Sequence, residues 1–440
     1  MSQSSILILF GSTGDLVANK ILPALDQWYE ETKPYGLILC LGRRAMDAEA
    51  YISFVEKKGR LKLSDALKRC IQYKQIEFDT VGDYYRLKQE IMGQSPRDIT
   101  FYLAVKPEGF LSIAGHLSDV GLLEKGNLNH KIIFEKPFGN SLQNAMHIQA
   151  HILKLVDEIQ IYRIDHYLGK DMIRNILALR FGNRLFEESW KGDVLSSVKI
   201  ISWETSGVEE RLDYYDHAGA INDMVQSHLL QIIALVAMDA PQNFGSESIR
   251  RQKLDIMRHM SVSDSAQICV GQYKGYTEAA GFAESKTETY VNATLTVDLP
   301  KWKGTSFIVE TGKKMKEKRM EVIMTFESNL LCLTEFEAIN IKPNVLTIEV
   351  YPTEGVHLRF NSKAPGYDFK MDTVEAEYCH TCRSPGNKPE AYVKLLMDAK
   401  AGDKTLFAGW EELELQWRIA DEIKAAAIGT ELMVYEEGSL

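Results

Sequence analysis

The sequence predicts an α/β domain built on a parallel sheet, followed by an α+β domain with a large, mainly antiparallel sheet. Three observations predict it. Short apolar runs alternate with helix-period segments through the first third of the chain. One of those runs ends in a glycine turn that leads straight into a helix. From about residue 190, strand-like runs follow one another with few helices between them.

Taken in order, residues 6–10 form a continuous apolar run closed by Gly11, the pattern of a buried strand. Residues 14–31 carry Leu16, Ile21, Leu22 and Leu25 at helix spacing. Residues 36–41 read as a second buried strand, 99–105, 131–134 and 159–164 as further strands, and 141–157 as a helix. This alternation implies helices on both faces of a parallel sheet. Later, 194–203 reads as a strand and 218–238 as one long, largely buried helix. Strands are expected at 290–297, 306–310, 319–326, 345–350 and 357–360, and helices at 389–400 and 411–427. Consecutive strands without crossover helices imply antiparallel pairing. The change of pattern puts a boundary in the region 166–180, giving domains 1–170 and 171–440.

The chain has 440 residues, 45% hydrophobic and 25% charged, which excludes disordered and low-complexity classes. Its formal net charge of −10 disfavours nucleic acid and anionic membranes as partners. A small anionic substrate needs only a local basic pocket. Cys40, Cys70, Cys269, Cys332, Cys379 and Cys382 show no framework spacing and read as reduced thiols of a reducing cytosol. The N-terminus has no basic segment before its short apolar run, so no signal peptide is expected. The longest apolar segment, 229–238, is interrupted by Gln231 and falls short of the about 20 residues of a membrane span. A cytoplasmic location is expected, with no nucleic-acid or membrane partner.

The segment GSTGDL holds Gly11, Ser12, Thr13, Gly14, Asp15 and Leu16 between a strand and a helix. Glycines there permit a tight turn, and the helix N-terminus offers N–H groups and positive potential to a pyrophosphate. This is GxxGDL, without the third glycine of the common fingerprint. Arg43 and Arg44 follow the second strand, where an acidic residue would pair the ribose of NAD and arginine accommodates the 2′-phosphate of NADP. NADP is therefore the expected cofactor of a Rossmann-like domain, although arginine does not exclude NAD. No metal is expected. His147 and His151 share helix spacing but lack a third ligand, and Cys379-His380-Thr381-Cys382 lacks a second pair.

Several blocks resemble the glucose-6-phosphate dehydrogenase family. GSTGDL with Lys20 and Pro23, EKPFG at 135–139, RIDHYLGK at 163–170 and YYDHAGAINDMVQSH at 214–228 come in the family's order. SKTETYVNATL at 285–295, WKG at 302–304, GK at 312–313 and PEAYVKLLMDAKAGDKTLF at 389–407 complete a match over nearly the whole chain. The resemblance implies oxidation of the C1 hydroxyl of glucose 6-phosphate to 6-phosphogluconolactone, with hydride transfer to NADP, in the oxidative pentose phosphate pathway. It assigns the base to His228, its supporting carboxylate to Asp165, and a lysine touching both sugar and cofactor to Lys136, whose bond to Pro137 is cis in the family. A histidine near its ordinary pKa suits that base role, although a histidine on an apolar helix, taken alone, reads as a packed core residue. The resemblance implies substrate contacts from His166, Tyr167, Lys170, Glu204, Asp223, Lys313 and Lys318, and a homodimer or homotetramer.

Asp165 and His166 are adjacent, and in an extended segment their side chains would point to opposite sides. Asp223 and His228 are five apart, about 140° around an α-helix, and so would line different sides of a pocket unless the helix is distorted. The run 313–319 taken alone reads as a solvated basic loop, and Lys314 and Lys316 are expected to remain that. The chain departs from the family at Ser227, where asparagine is usual, at Glu310, where arginine is common, at Tyr351, where glutamine is usual, and in a short 271–285 loop. Glu310 also argues against a second, structural NADP site. A paralogue acting on another aldose 6-phosphate is the alternative these departures suggest, and a non-catalytic nucleotide sensor is a remoter one.

Overall fold

The computed structural model describes residues 5–263, 268–281, 284–327, 342–367, 370–383 and 391–440. Cys332 and the start of the expected 389–400 helix lie outside them. In chain order the strands are β1 (Ser5–Phe10), β2 (Leu37–Gly42), β3 (Ile71–Gln75), β4 (Asp98–Leu103), β5 (His130–Phe134), β6 (Ile161–Ile164), β7 (Leu195–Trp203), β8 (Met260–Val262) and β9 (Cys269–Tyr273). They continue as β10 (Tyr290–Val297), β11 (Ser306–Gly312), β12 (Arg319–Phe326), β13 (Val345–Tyr351), β14 (Gly355–Lys363), β15 (Met371–Cys379), β16 (Phe407–Ala408) and β17 (Met433–Tyr435). The chain forms two compact units.

The first unit runs to Gly169, and the structure adds two later segments to it, 245–247 and 389–414. Its sheet has the order β16-β6-β5-β4-β1-β2-β3. β1 to β6 are all parallel, and only the two-residue β16 is antiparallel, pairing Phe407 with Ile164. This is the doubly wound 3-2-1-4-5-6 arrangement, whose strand order reverses between β1 and β4. Every residue of β1 and β2 is buried, as strands covered on both faces must be. The 389–414 segment is tied down by Lys131, which donates to the Ala399 carbonyl at 2.8 Å, and by Lys404, which donates to that of Ile161 at 2.8 Å.

The second unit holds a ten-stranded sheet of order β15-β14-β13-β12-β7-β11-β10-β9-β17, with β8 also paired to β10. Most pairings are antiparallel, but β7 runs parallel to β11 and β17 parallel to β9, so the sheet is mixed. The apolar helical stretch Leu212–Ala237 is long and apolar enough to cross a membrane, yet 94% of its apolar 18-residue window is buried inside the protein. It is a core element of this unit. It is also not the single regular helix the sequence suggested. Leu212–Ala220 contains a break at Gly219, Ile221–Leu229 is π-helical, and Leu230–Ala237 is α-helical.

The expectation of reduced thiols is overturned at one place. Cys379 and Cys382 are joined in a disulfide, at positions where the chain turns from β15 into the short helix His380–Arg383. Sparse, irregular cysteine spacing argued against a framework, but it did not bear on a pair three residues apart. Cys40, Cys70 and Cys269 are free.

Candidate active site

The residues singled out in the sequence fall in two groups, one in each unit. In the first unit the turn after β1 sits at the point of strand-order reversal, the usual ligand position of this fold. Gly11 has φ +73°, and a β-carbon there would stand 2.3 Å from the Ala104 carbonyl oxygen just beyond β4. Glycine is thus required both by conformation and by the approach of the neighbouring strand. The Gly14 N–H donates to the Gly11 carbonyl at 2.9 Å, and the Ser12 N–H to that of Leu41 at 3.0 Å, which fixes the turn. Lys58 donates to the Thr13 carbonyl and pairs with exposed Asp15, both at 3.1 Å. Leu16 leads into the helix, whose first N–H groups have no intrahelical partner. Val17–Ile21, including Lys20, is π-helical before Leu22–Glu31 continues as α-helix.

Arg43 and Arg44 lie just past β2 with exposed side chains. Their backbone is pinned, since the Tyr73 hydroxyl donates to the Arg44 carbonyl at 2.6 Å and Gln75 to that of Arg43 at 3.1 Å. The Arg44 guanidinium lies 4.9 Å from the centre of the Phe54 ring. Two arginines with anchored backbones therefore stand just outside the carboxyl end of β2.

Lys136 follows buried Glu135 after β5, and the Lys136–Pro137 bond is cis. The Glu135 carboxyl accepts from the Tyr102 hydroxyl, and burial pushes its pKa up to about 7. After β6 the chain does not stay extended. The Tyr167 N–H donates to the Asp165 carboxylate at 3.0 Å and the Leu168 N–H to the Asp165 carbonyl at 3.1 Å, forming a turn. The strand-like alternation expected for Asp165 and His166 therefore does not apply, because a local Asp side chain closes a turn as readily as it sits in a strand. The His166 ring meets Tyr167 edge-on at 4.9 Å and stacks on Tyr392 at 6.2 Å.

In the second unit, Asp223 and His228 lie on the π-helical segment and are both buried. Hydrogen bonds from i to i+5 widen each turn, so residues five apart come close to one face. The separation expected of a regular helix is thus undone. The segment is held at both ends. At Gly219 the backbone takes φ 65°, ψ 176°, a region left to glycine, and a β-carbon there would lie 2.2 Å from Glu288. The Ile221 N–H donates to the Glu288 carboxylate at 3.0 Å, and the Ala220 N–H to the Glu288 carbonyl at 2.9 Å. At the far end of the α-helix that continues it, Leu230–Ala237, buried Arg180 and Trp190 donate to the Val236 carbonyl at 2.6 and 2.9 Å, and Trp302 to that of Ala237 at 2.9 Å. Burial lowers the Arg180 pKa to about 10, which leaves it charged at neutral pH against the negative end of the helix. Gly219, Glu288 and Arg180 were not singled out in the sequence, because their partners lie tens of residues away.

Lys313 is brought to this helix by the parallel pairing of β7 and β11. Both strands end at the same level, where the Glu204 N–H donates to the Gly312 carbonyl at 2.9 Å. The Lys313 ammonium pairs with the Glu204 carboxylate and lies 3.9 Å from that of Asp223. Arg211 stands 3.7 Å from the other oxygen of Asp223. Lys313 is buried, so the basic run beginning there is not wholly a solvated loop, and Lys314 pairs with Glu437 at 3.0 Å. Lys318 is exposed, with its ammonium 4.5 Å from the centre of the Tyr351 ring. Lys170 immediately precedes the helix Asp171–Gly182, and its ammonium reaches the Met320 sulfur at 3.4 Å. Glu310 is buried beside Lys199 at 2.6 Å and accepts from Trp203, Tyr290 and Asn292.

Comparison with known proteins places this chain. Residues 8–175 match the glucose-6-phosphate dehydrogenase NAD-binding domain, and residues 177–440 match the C-terminal domain of the same enzyme. The glucose-6-phosphate 1-dehydrogenase of Bacillus subtilis is 34% identical, over 99% of this chain and 94% of its own length. A solved glucose-6-phosphate dehydrogenase in complex with its substrate glucose 6-phosphate superposes with a TM-score of 0.89 at 28% identity, covering 99% of this chain and 95% of the other. A glucose-6-phosphate 1-dehydrogenase from Mycobacterium avium gives 0.87 at 29% identity, covering 99% and 94%.

Proposed function

The chain belongs to the glucose-6-phosphate dehydrogenase family, and on that premise we propose that it oxidises the C1 hydroxyl of glucose 6-phosphate to 6-phosphogluconolactone with NADP. The bound nicotinamide supplies the hydride acceptor. The Gly11–Leu16 turn would hold the pyrophosphate, and Arg43 and Arg44 the 2′-phosphate. The exposed, backbone-anchored arginine pair past β2 supports NADP over NAD.

His228 takes the C1 hydroxyl proton, and Asp165 orients and stabilises the imidazolium that results. Lys136 contacts sugar and cofactor. His166, Tyr167 and Lys170 hold the substrate phosphate, where converging donors are worth most. Glu204, Asp223, Lys313 and Lys318 address the sugar. Lys313 is paired with Glu204, so a sugar hydroxyl addressed by either group would meet a charge already held by an ion pair.

The observation that carries this reading is the π-helical turn that brings His228 and Asp223 toward one face while Lys313 closes on Asp223 from β11. Replacing His228 with Asn tests it. Turnover falls by about 10²–10⁴-fold, the usual contribution of a general base, while the Kd for glucose 6-phosphate changes little. Near-normal turnover removes His228 from the base role.

A further inference from the structure

The Cys379–Cys382 bridge is not accounted for by the dehydrogenase chemistry. As a structural staple it does little, because it joins residues only three apart, and the stabilisation from a cross-link grows with the loop it closes. Its surroundings are those of a reactive pair. Cys382 is exposed and Cys379 partly buried. The Cys382 N–H donates to the Cys379 sulfur at 3.1 Å. Such a donor stabilises negative charge on Cys379, which makes it the better leaving group. Cys40 and Cys269, two of the three free thiols among the described residues, differ. Cys40 is buried with its pKa pushed up to about 12, and burial also raises that of Cys269.

We propose that Cys379 and Cys382 form a reversible thiol–disulfide exchange site on the edge strand β15, whose substrates are small or protein-borne dithiols. A thiolate of the reductant attacks the Cys382 sulfur, the bridge breaks, and Cys379 leaves as a thiolate held by the Cys382 N–H. A second reductant thiol then attacks the mixed disulfide and releases Cys382. The chain gains two electrons and two protons, and the reductant departs as its own disulfide.

The exchange has a local consequence. The His380 N–H, inside the bridged loop, donates to the Glu354 carbonyl at 2.9 Å, and Cys379 on β15 pairs with Gly355, the first residue of β14. The bridge therefore fastens the β13–β14 turn, where Glu354 takes φ 53° and Tyr351 lies under Lys318. Reduction loosens that fastening.

The test equilibrates the full-length protein in glutathione buffers graded from oxidised to reduced, then alkylates it and maps the labels by mass. Two labels should enter together on the peptide carrying residues 379–382 as the buffer becomes reducing, with Cys40 unlabelled throughout. A Cys379→Ser variant should trap glutathione on Cys382, and a Cys382→Ser variant should trap less. The His380 amide should lose protection from hydrogen exchange in the reduced protein. Two free thiols at the oxidising limit would overturn the proposal. A bridge that stays closed at the reducing limit in the native fold would overturn it too, as would equal protection in both states.

Discussion

Replacing Glu135 with Gln should make the protein more stable, and increasingly so as pH rises. Glu135 is 8% exposed, and burial raises its pKa from 4.5 to about 7 against the lowering effect of the Tyr102 hydroxyl and the Lys136 N–H. The folded state therefore keeps a proton that the unfolded chain gives up. Below about pH 4.5 the group is neutral in both states and costs nothing. Between about pH 4.5 and 7 the unfolded state ionises first, and stability falls as pH rises. Above about pH 7 both are ionised and the full penalty is present. At 1.36 kcal/mol per pKa unit the penalty comes to about 3 kcal/mol. Glutamine keeps the acceptor for Tyr102 and removes the titration. At about 2–4 °C per kcal/mol for a domain of this size, the variant should melt roughly 6–12 °C above the parent at pH 8 and close to it at pH 5. Calorimetric scans of both proteins across that range decide the matter. A difference in Tm that stays constant with pH would show that Glu135 is ionised in the folded state, and would refute the argument.

Two further outcomes follow from the second unit. Gly219→Ala forces a β-carbon toward Glu288 and a side chain into a backbone region left to glycine. It should cost at least about 1–3 kcal/mol in denaturant unfolding and depress turnover by disturbing the His228 segment. An unchanged unfolding midpoint would contradict this. Lys170→Ala removes one charge-assisted bond worth about 1.5–3 kcal/mol, so KM for glucose 6-phosphate should rise about 10- to 150-fold with kcat little changed. Steady-state kinetics with an unchanged KM would remove Lys170 from the phosphate site.

What the sequence made legible follows physical range. The strand cores and the glycine turn were readable because apolar runs and turn residues act locally. The buried run Ile6 to Phe10 and Gly11 are of this kind. The π-helical turn was not readable, since it depends on a cap from Glu288, far along the chain, and on a break at Gly219 that a helix-period count passes over. The parallel pairing of β7 with β11 was hidden for a similar reason. Nothing in either strand's alternation distinguishes a parallel neighbour from an antiparallel one, and that pairing sets Glu204 beside Lys313. The extended course that would set Asp165 and His166 on opposite sides stops at Ile164, because the Asp165 carboxylate itself turns the chain. The return of 389–414 to the first unit rests on the two-residue pairing of β16 with β6 and on lysines reaching backbone carbonyls, which carry no periodic signal.

The most direct measurement is absorbance at the reduced-nicotinamide band with glucose 6-phosphate and either NADP or NAD. The account predicts rapid reduction of NADP, with a higher kcat/KM for NADP than for NAD. Reduction mainly with NAD would contradict the reading of Arg43 and Arg44, and no reduction with either would contradict the proposed function itself.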